Sequence, residues 1–249
     1  MITVSKQKYI KTVSFAEKLN FANAVGVSND YLIRLALECA KSVIYTTTPE
    51  VQVHCHTTIE IVEKCLDGEV TKEECTDAAL KIYGIAAGIG HKEEIITTPQ
   101  GPAMMVGSTN HPERSACYSS GFVAEAVSGS SRYGFLPCIH QSILDASLAV
   151  TDWSTGHLND KTLIAEIVDK HLSWNFILAF QIACAVLDLG DKFRDTRDET
   201  VKKLFMLPEP ERNSLFQYAE IILESDGLKE QFSFLMNDWA KRSGIISSA

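Results

Sequence analysis

The chain has 249 residues, 45% of them hydrophobic, and a formal charge of −9 at pH 7. That apolar share supports a core without metals or disulfides, and the acidic balance disfavours generic binding to phosphate backbones. Lysines and arginines are scattered through the sequence rather than clustered, so a basic patch would have to be assembled by the fold.

The first residues, MITVSKQKYIKTV, lack the apolar run of a secretory signal, and the expectation is a cytoplasmic protein. Seven cysteines without a CxxC pair agree with that compartment, as reduced thiols acting as small core hydrophobes.

The first predicted helix covers Phe15 to Ala24. The next starts at Ser28 or Asn29, where Leu32, Leu35, Ala36, Cys39, Ala40 and Val43 line one face at spacings of three and four. Thr46-Thr47-Thr48 ends it. Thr48 then serves as the predicted N-cap of a helix opened by Pro49. Val51, Cys55, Thr58, Ile59, Val62, Cys65 and Leu66 form its inner face, and Asp67-Gly68 stops it. Thr71-Lys72-Glu73-Glu74 reads as a capping box, followed by the stripe Cys75, Ala78, Ala79, Ile82, Tyr83 and Ala86.

Gly88 and Gly90 break the helical period, which is missing over 91–111. Ile95 to Thr98, the turn Pro99-Gln100-Gly101-Pro102 and Ala103 to Val106 predict a small β-hairpin at about 94–107. Helices resume at Pro112, with Ala116, Ser120, Val123, Ala126 and Val127 inward. Ser128 to Tyr133 is a connector, and another helix begins at Pro137.

Trp153 to Gly156 reads as the boundary of a second half. A helix is expected from about Asn159 to Leu172, then an apolar one from Ser173 to Leu189. Its Ser173, Asn175, Gln181 and Asp188 mark a buried core helix rather than a membrane span. Residues 191–200 read as a charged, exposed linker. Helices at 198–206, 209–224 and 228–242 complete the chain. No strand series alternates with helices, which argues against a nucleotide-binding parallel sheet. The expected class is all-α, a multi-helix α-hairpin bundle with one hairpin insertion, in two lobes, 1–152 and 153–249.

Few residues suggest chemistry. On a helix, His54 and His56 point to nearly opposite sides and cannot share a metal. Cys138-Ile139-His140 meets the same obstacle. The glycines of Gly84 to Gly90 lack a phosphate-loop pattern. Asp188, Asp191, Asp195, Asp198 and Glu199 lack the glycine and spacing of a calcium loop. No catalytic residue, metal site or cofactor is therefore assigned. Ser130, Ser131 and Arg132 in the connector form a weak anion-binding candidate. The insertion is the leading candidate for partner contact. Met104 and Met105 offer adaptable apolar surface, and Asn110, His111 and Arg114 offer polar handles.

The segment LIRLALECAKSVI…PEVQVHCHTTIEIVEKCLDGEVTKEECTDAALKIYGIAAGIG resembles small helical proteins of bacteria and phages. These read ALxCAxxV, then AIExAExxxxGExTxEEL, then Ala-rich helices, and some are labelled immunity proteins of polymorphic toxin systems. The likeness spans Leu32 to Ala87, with an Ala/Ser-rich echo through Val150. This chain departs by its insertion, by Cys and Ser where Ala is usual, and by its C-terminal hundred residues. The resemblance implies action through protein–protein contact and brings no catalytic residues.

The resulting expectation is a cytosolic interaction or regulatory protein of bacterial or phage origin, of immunity, anti-defence or modulator type. It is expected to be a binder of protein rather than an enzyme, with neither membrane nor nucleic acid as partner. One alternative is a helical enzyme or ligand-binding protein with a His/Cys site between the lobes, using His54, Cys138 or His140. Another is a structural homo-oligomer with the apolar hairpin as self-contact.

Overall fold

Local capping chemistry and apolar periodicity set the elements. The structure, a computed structural model, describes residues 4–12, 14–89, 91–98, 101–108, 111–150, 163–187, 194–225 and 227–246. Its helices are α1 (Lys6–Ile10), α2 (Phe15–Val25), α3 (Asn29–Val43), α4 (Pro49–Leu66), α5 (Lys72–Gly88), α6 (Pro112–Ser128), α7 (Phe135–Ala149), α8 (Leu163–His171), α9 (Trp174–Leu187), α10 (Arg194–Met206), α11 (Glu209–Glu224) and α12 (Lys229–Arg242). The class is all-α, as the helical period predicts. Between α5 and α6 the backbones of β1 (His91–Thr98) and β2 (Gly101–Ser108) run antiparallel, with His91 opposite Ser108 and Thr98 opposite Gly101.

The caps show why these segments are helical. Glu74 N–H donates to Thr71 Oγ1 at 3.3 Å, and Thr71 N–H donates to Glu74 Oε2 at 2.8 Å, so two orphan amides are satisfied reciprocally. Gly68 takes φ 77° just past α4, a conformation that favours glycine. Thr48 stands at the N-cap of α4 as predicted, but its side chain makes no cap bond. Its N–H (2.8 Å) and hydroxyl (2.6 Å) both donate to Glu113 Oε1 instead. The carboxylate of Glu113 thus reaches from the first turn of α6 to the positive end of α4, which is where a negative charge is favoured.

Two unanticipated features follow from short or mixed sequence signals. α1 has five residues, too few to display a period. α10 begins at Arg194, four residues before the helix expected at 198–206, so 194–197 is helix rather than exposed linker, and Arg197 and Thr200 are buried. The guanidinium of Arg197 donates to Val25 O at 3.5 Å, close to the negative end of α2.

The chain divides into two units, Met1–Leu32 with Val168–Ala249, and Ile33–Ile167. This differs from lobes of 1–152 and 153–249, because the first helices pack with the last ones. In that discontinuous unit α9 is central, with α1, α2, α10, α11 and α12 against it. Gln181 is fully buried in α9; it accepts from Val4 N–H at 2.5 Å and donates to Val4 O at 3.1 Å. Tyr9 donates to Leu172 O, and Lys18 pairs with Asp169. These bonds span more than a hundred residues, beyond any local pattern.

By length and composition, Leu163–Leu187 is apolar enough to cross a membrane, and 61% of its apolar window is buried. A break at Leu172 and Ser173 separates α8 from α9 within that stretch.

In the continuous unit α6 is central, packed by α4, α5 and α7. Its Ala116, Ser119, Ser120 and Ala124 are fully buried, and such small side chains let helix backbones approach closely. Ser142 of α7 donates to Ser119 O at 2.8 Å. Cys55 of α4 and Cys117 of α6 are both fully buried with their sulfurs 3.9 Å apart.

Candidate functional site

The site begins with Gly121 of α6. A Cβ there would lie 2.3 Å from Tyr83 Cε1 and 3.0 Å from Ile82 Cγ2. Glycine therefore lets α5 lay Tyr83 across α6. The Tyr83 ring meets Phe122 edge-on at 5.5 Å and lies 5.8 Å from Tyr118. Its hydroxyl donates to Glu125 Oε2 at 2.9 Å. Burial, reinforced by that carboxylate, raises the phenol's pKa and keeps it protonated.

Beside this group, α6 and α7 enclose a cleft of about 350 Å³, lined by Phe122, Tyr133, Pro137, Cys138, His140 and Gln141. Spacings of three and four place Cys138, Gln141 and Asp145 along one face of α7. Gln141 Nε2 donates to Asp145 Oδ2 at 3.1 Å. Asp145 is only 6% exposed. Burial pushes its carboxyl up to about 6, against the opposing effect of the Gln141 bond. Among the described residues, no cationic side chain forms an ion pair with Glu125 or Asp145. Cys138 is raised as well, by burial first and by the Glu125 charge, partly offset by a hydrogen bond with Ser131. A thiol held protonated is a weak nucleophile, so burial disfavours nucleophilic attack by Cys138.

No family model, curated protein or solved structure matches the chain. The site therefore rests on geometry.

The residues singled out in the sequence fall in three places. Met104 and Met105 lie on β2, opposite Ile95 and Glu94. Asn110 lies outside the described residues. His111 is at the N-cap of α6, with Nδ1 3.9 Å from Glu113 Oε2. The guanidinium of Arg114 donates to Tyr118 Oη at 3.2 Å and lies 5.4 Å from that ring. In the connector, Ser130 bonds Ser128 (2.7 Å) and Ser131 accepts from Tyr133 N–H (3.1 Å). Arg132 sits 4.8 Å over the Tyr133 ring and donates to its hydroxyl at 2.5 Å. The candidate anion cradle thus has its hydroxyls and its guanidinium engaged locally.

Cys138 and His140, two residues of the enzyme alternative, line this one cleft within the continuous unit. His54 lies apart, in a 240 Å³ pocket between α4 and α5 with Thr57, Glu74, Asp77 and Lys81. Among the described residues, no group of three or more His, Cys, Asp or Glu side chains is placed to hold a metal ion. Tyr83, Glu125, Gln141 and Asp145 are the site residues that sequence reasoning missed. The available signal was the polar pair Gln141 and Asp145 on the face that also carries Cys138.

Proposed function

We propose that the chain is a cytosolic interaction protein that works by binding a protein partner, as an immunity, anti-defence or modulator factor of bacterial or phage origin does. The observation that supports this reading is the β1–β2 pair, taken as a hairpin insertion that docks. The two strands pair with each other and, among the described residues, with no other strand. Each therefore has an edge open to a further strand. A two-stranded ribbon is marginal in water by itself, and a partner that packs on it or extends it supplies the missing contacts. The sequence places Met104 and Met105 within β2, a residue type suited to adaptable apolar contact. The chain's charge of −9 favours a partner with a basic face.

Affinity capture from host lysate, read by mass spectrometry, tests this with three baits: the intact chain, a deletion of 94–107, and the double variant Met104→Asp, Met105→Asp. The expected result is a protein retained by the intact chain and lost from both variants. Retention of the same proteins by all three baits removes the hairpin from the reading. Recovery of this chain alone, with a sedimentation coefficient that falls on deletion, favours the homo-oligomer instead.

A further inference from the structure

We propose that Cys55 and Cys117 form a redox modification site, at which hydrogen peroxide joins α4 to α6 through a disulfide. The two sulfurs lie 3.9 Å apart, and both residues are fully buried where α4 packs on α6. A disulfide needs about 2.05 Å between its sulfurs, so the pair has to close by about 1.9 Å. Ser120, one turn on from Cys117, is also fully buried and also reaches Cys55. Side chains this small leave the two helices room to approach.

The pair is chemically unequal. Contact with the Cys117 thiol first, and with the Ser120 hydroxyl as well, lowers the Cys55 pKa against the opposing effect of burial. The same contact, together with burial, raises Cys117. Cys55 is therefore the thiol that ionises and attacks, and Cys117 the one that resolves. In the first step the Cys55 thiolate breaks the peroxide O–O bond and becomes a sulfenic acid; the departing hydroxide takes up the proton that Cys55 released. In the second, the Cys117 sulfur attacks the sulfenic sulfur, the S–O bond breaks, and the oxygen leaves as water with the Cys117 proton. Two thiols are oxidised and one peroxide is reduced to two waters.

Full burial selects a small, uncharged oxidant, admitted by local opening of the α4–α6 seam, and keeps bulky disulfides out. Cys65 of α4 and Cys75 of α5 are in contact as well, and Cys65 is half-buried, which supplies an internal comparison. The new bond closes a loop that contains α5, β1 and β2. A cross-link over 62 positions restricts chiefly the unfolded chain, so the oxidised protein resists unfolding. This inference is independent of the partner-binding reading.

Exposure of the native full chain to hydrogen peroxide, followed by alkylation in denaturant and non-reducing peptide mapping, tests it. The expected product is a peptide pair joined through Cys55 and Cys117, two hydrogens lighter than the thiols and released by dithiothreitol. The oxidised chain is expected to melt about 5–10 °C above the same sample after dithiothreitol. Cys65→Ser is expected to leave the cross-link intact. Cys117→Ala is expected to abolish it and to leave Cys55 as a sulfenic acid that a dimedone probe traps. Mapping of the parent chain decides even where a variant fails to fold. The proposal is overturned if peroxide modifies only Cys65 or Cys184, or joins Cys65 to Cys75 and not Cys55 to Cys117. It is equally overturned if the link forms only in denaturant, or if the linked chain melts no higher than its reduced counterpart.

Discussion

At the scale of a residue, Asp145 concentrates the tension of this fold. Its carboxyl is raised from 3.8 to about 6, chiefly by burial. Relative to the unfolded chain, the contribution of the protonated group is fully present below the unfolded value. It is lost as pH rises through about 6, and above that the buried charge costs roughly 3 kcal/mol. Asp145→Asn removes the charge and keeps an oxygen for Gln141. The variant is expected to melt above the parent at pH 8 and level with it near pH 4; thermal melts across that range decide, and a pH-independent difference rejects the account. Such a residue is hard to recognise in sequence, because an Asp four after a Gln also describes an ordinary solvated helix face. Only the packing of α6 on α7 makes that face an interior one.

At the scale of an element, Gly121 decides how closely α5 meets α6. Gly121→Ala gains about 1 kcal/mol of helix propensity. Its new Cβ would stand 2.3 Å from the Tyr83 ring, and overpacking of that kind typically costs 1–3 kcal/mol. A net loss of up to about 2 kcal/mol in urea denaturation is expected, together with loss of the Tyr83–Glu125 bond. Increased stability contradicts this. Helix boundaries were the most legible part of the fold, since their signals are local: Pro49 opens α4, Gly68 follows its end, and Thr71 with Glu74 opens α5. α10 starts four residues before the helix expected at 198–206, because charges dominate RDTRDETVKKLFM while Arg197, Thr200, Val201 and Leu204 make a buried face among them. The role of Thr48 was only half legible, because its true partner, Glu113, lies 65 residues away.

At the scale of the molecule, the thiols report how the units close. Cys39, Cys55, Cys75, Cys117 and Cys138 are buried, while Cys65 and Cys184 are only half-buried. Burial raises Cys39 and Cys75 to about 12, and contact with Cys55, together with burial, keeps Cys117 protonated. A polar alkylating reagent is therefore expected to label Cys65 and Cys184 in the native protein and the other five only on unfolding, as mass mapping against denaturant will show. Equal native labelling of Cys55 or Cys117 refutes that packing. The helical stripes announced buried cysteines, but no stripe announces which distant helix covers it, and the grouping of Met1–Leu32 with Val168–Ala249 was invisible for that reason. That grouping also imposes an order in time. Leu19, Ala22 and Val25 of α2 are buried in the finished protein, and α2 packs on α9. On the ribosome α9 is made about 150 residues after α2, a delay of roughly ten to thirty seconds. The continuous unit can fold within that interval, while α2, made before it, waits for α9 to be covered.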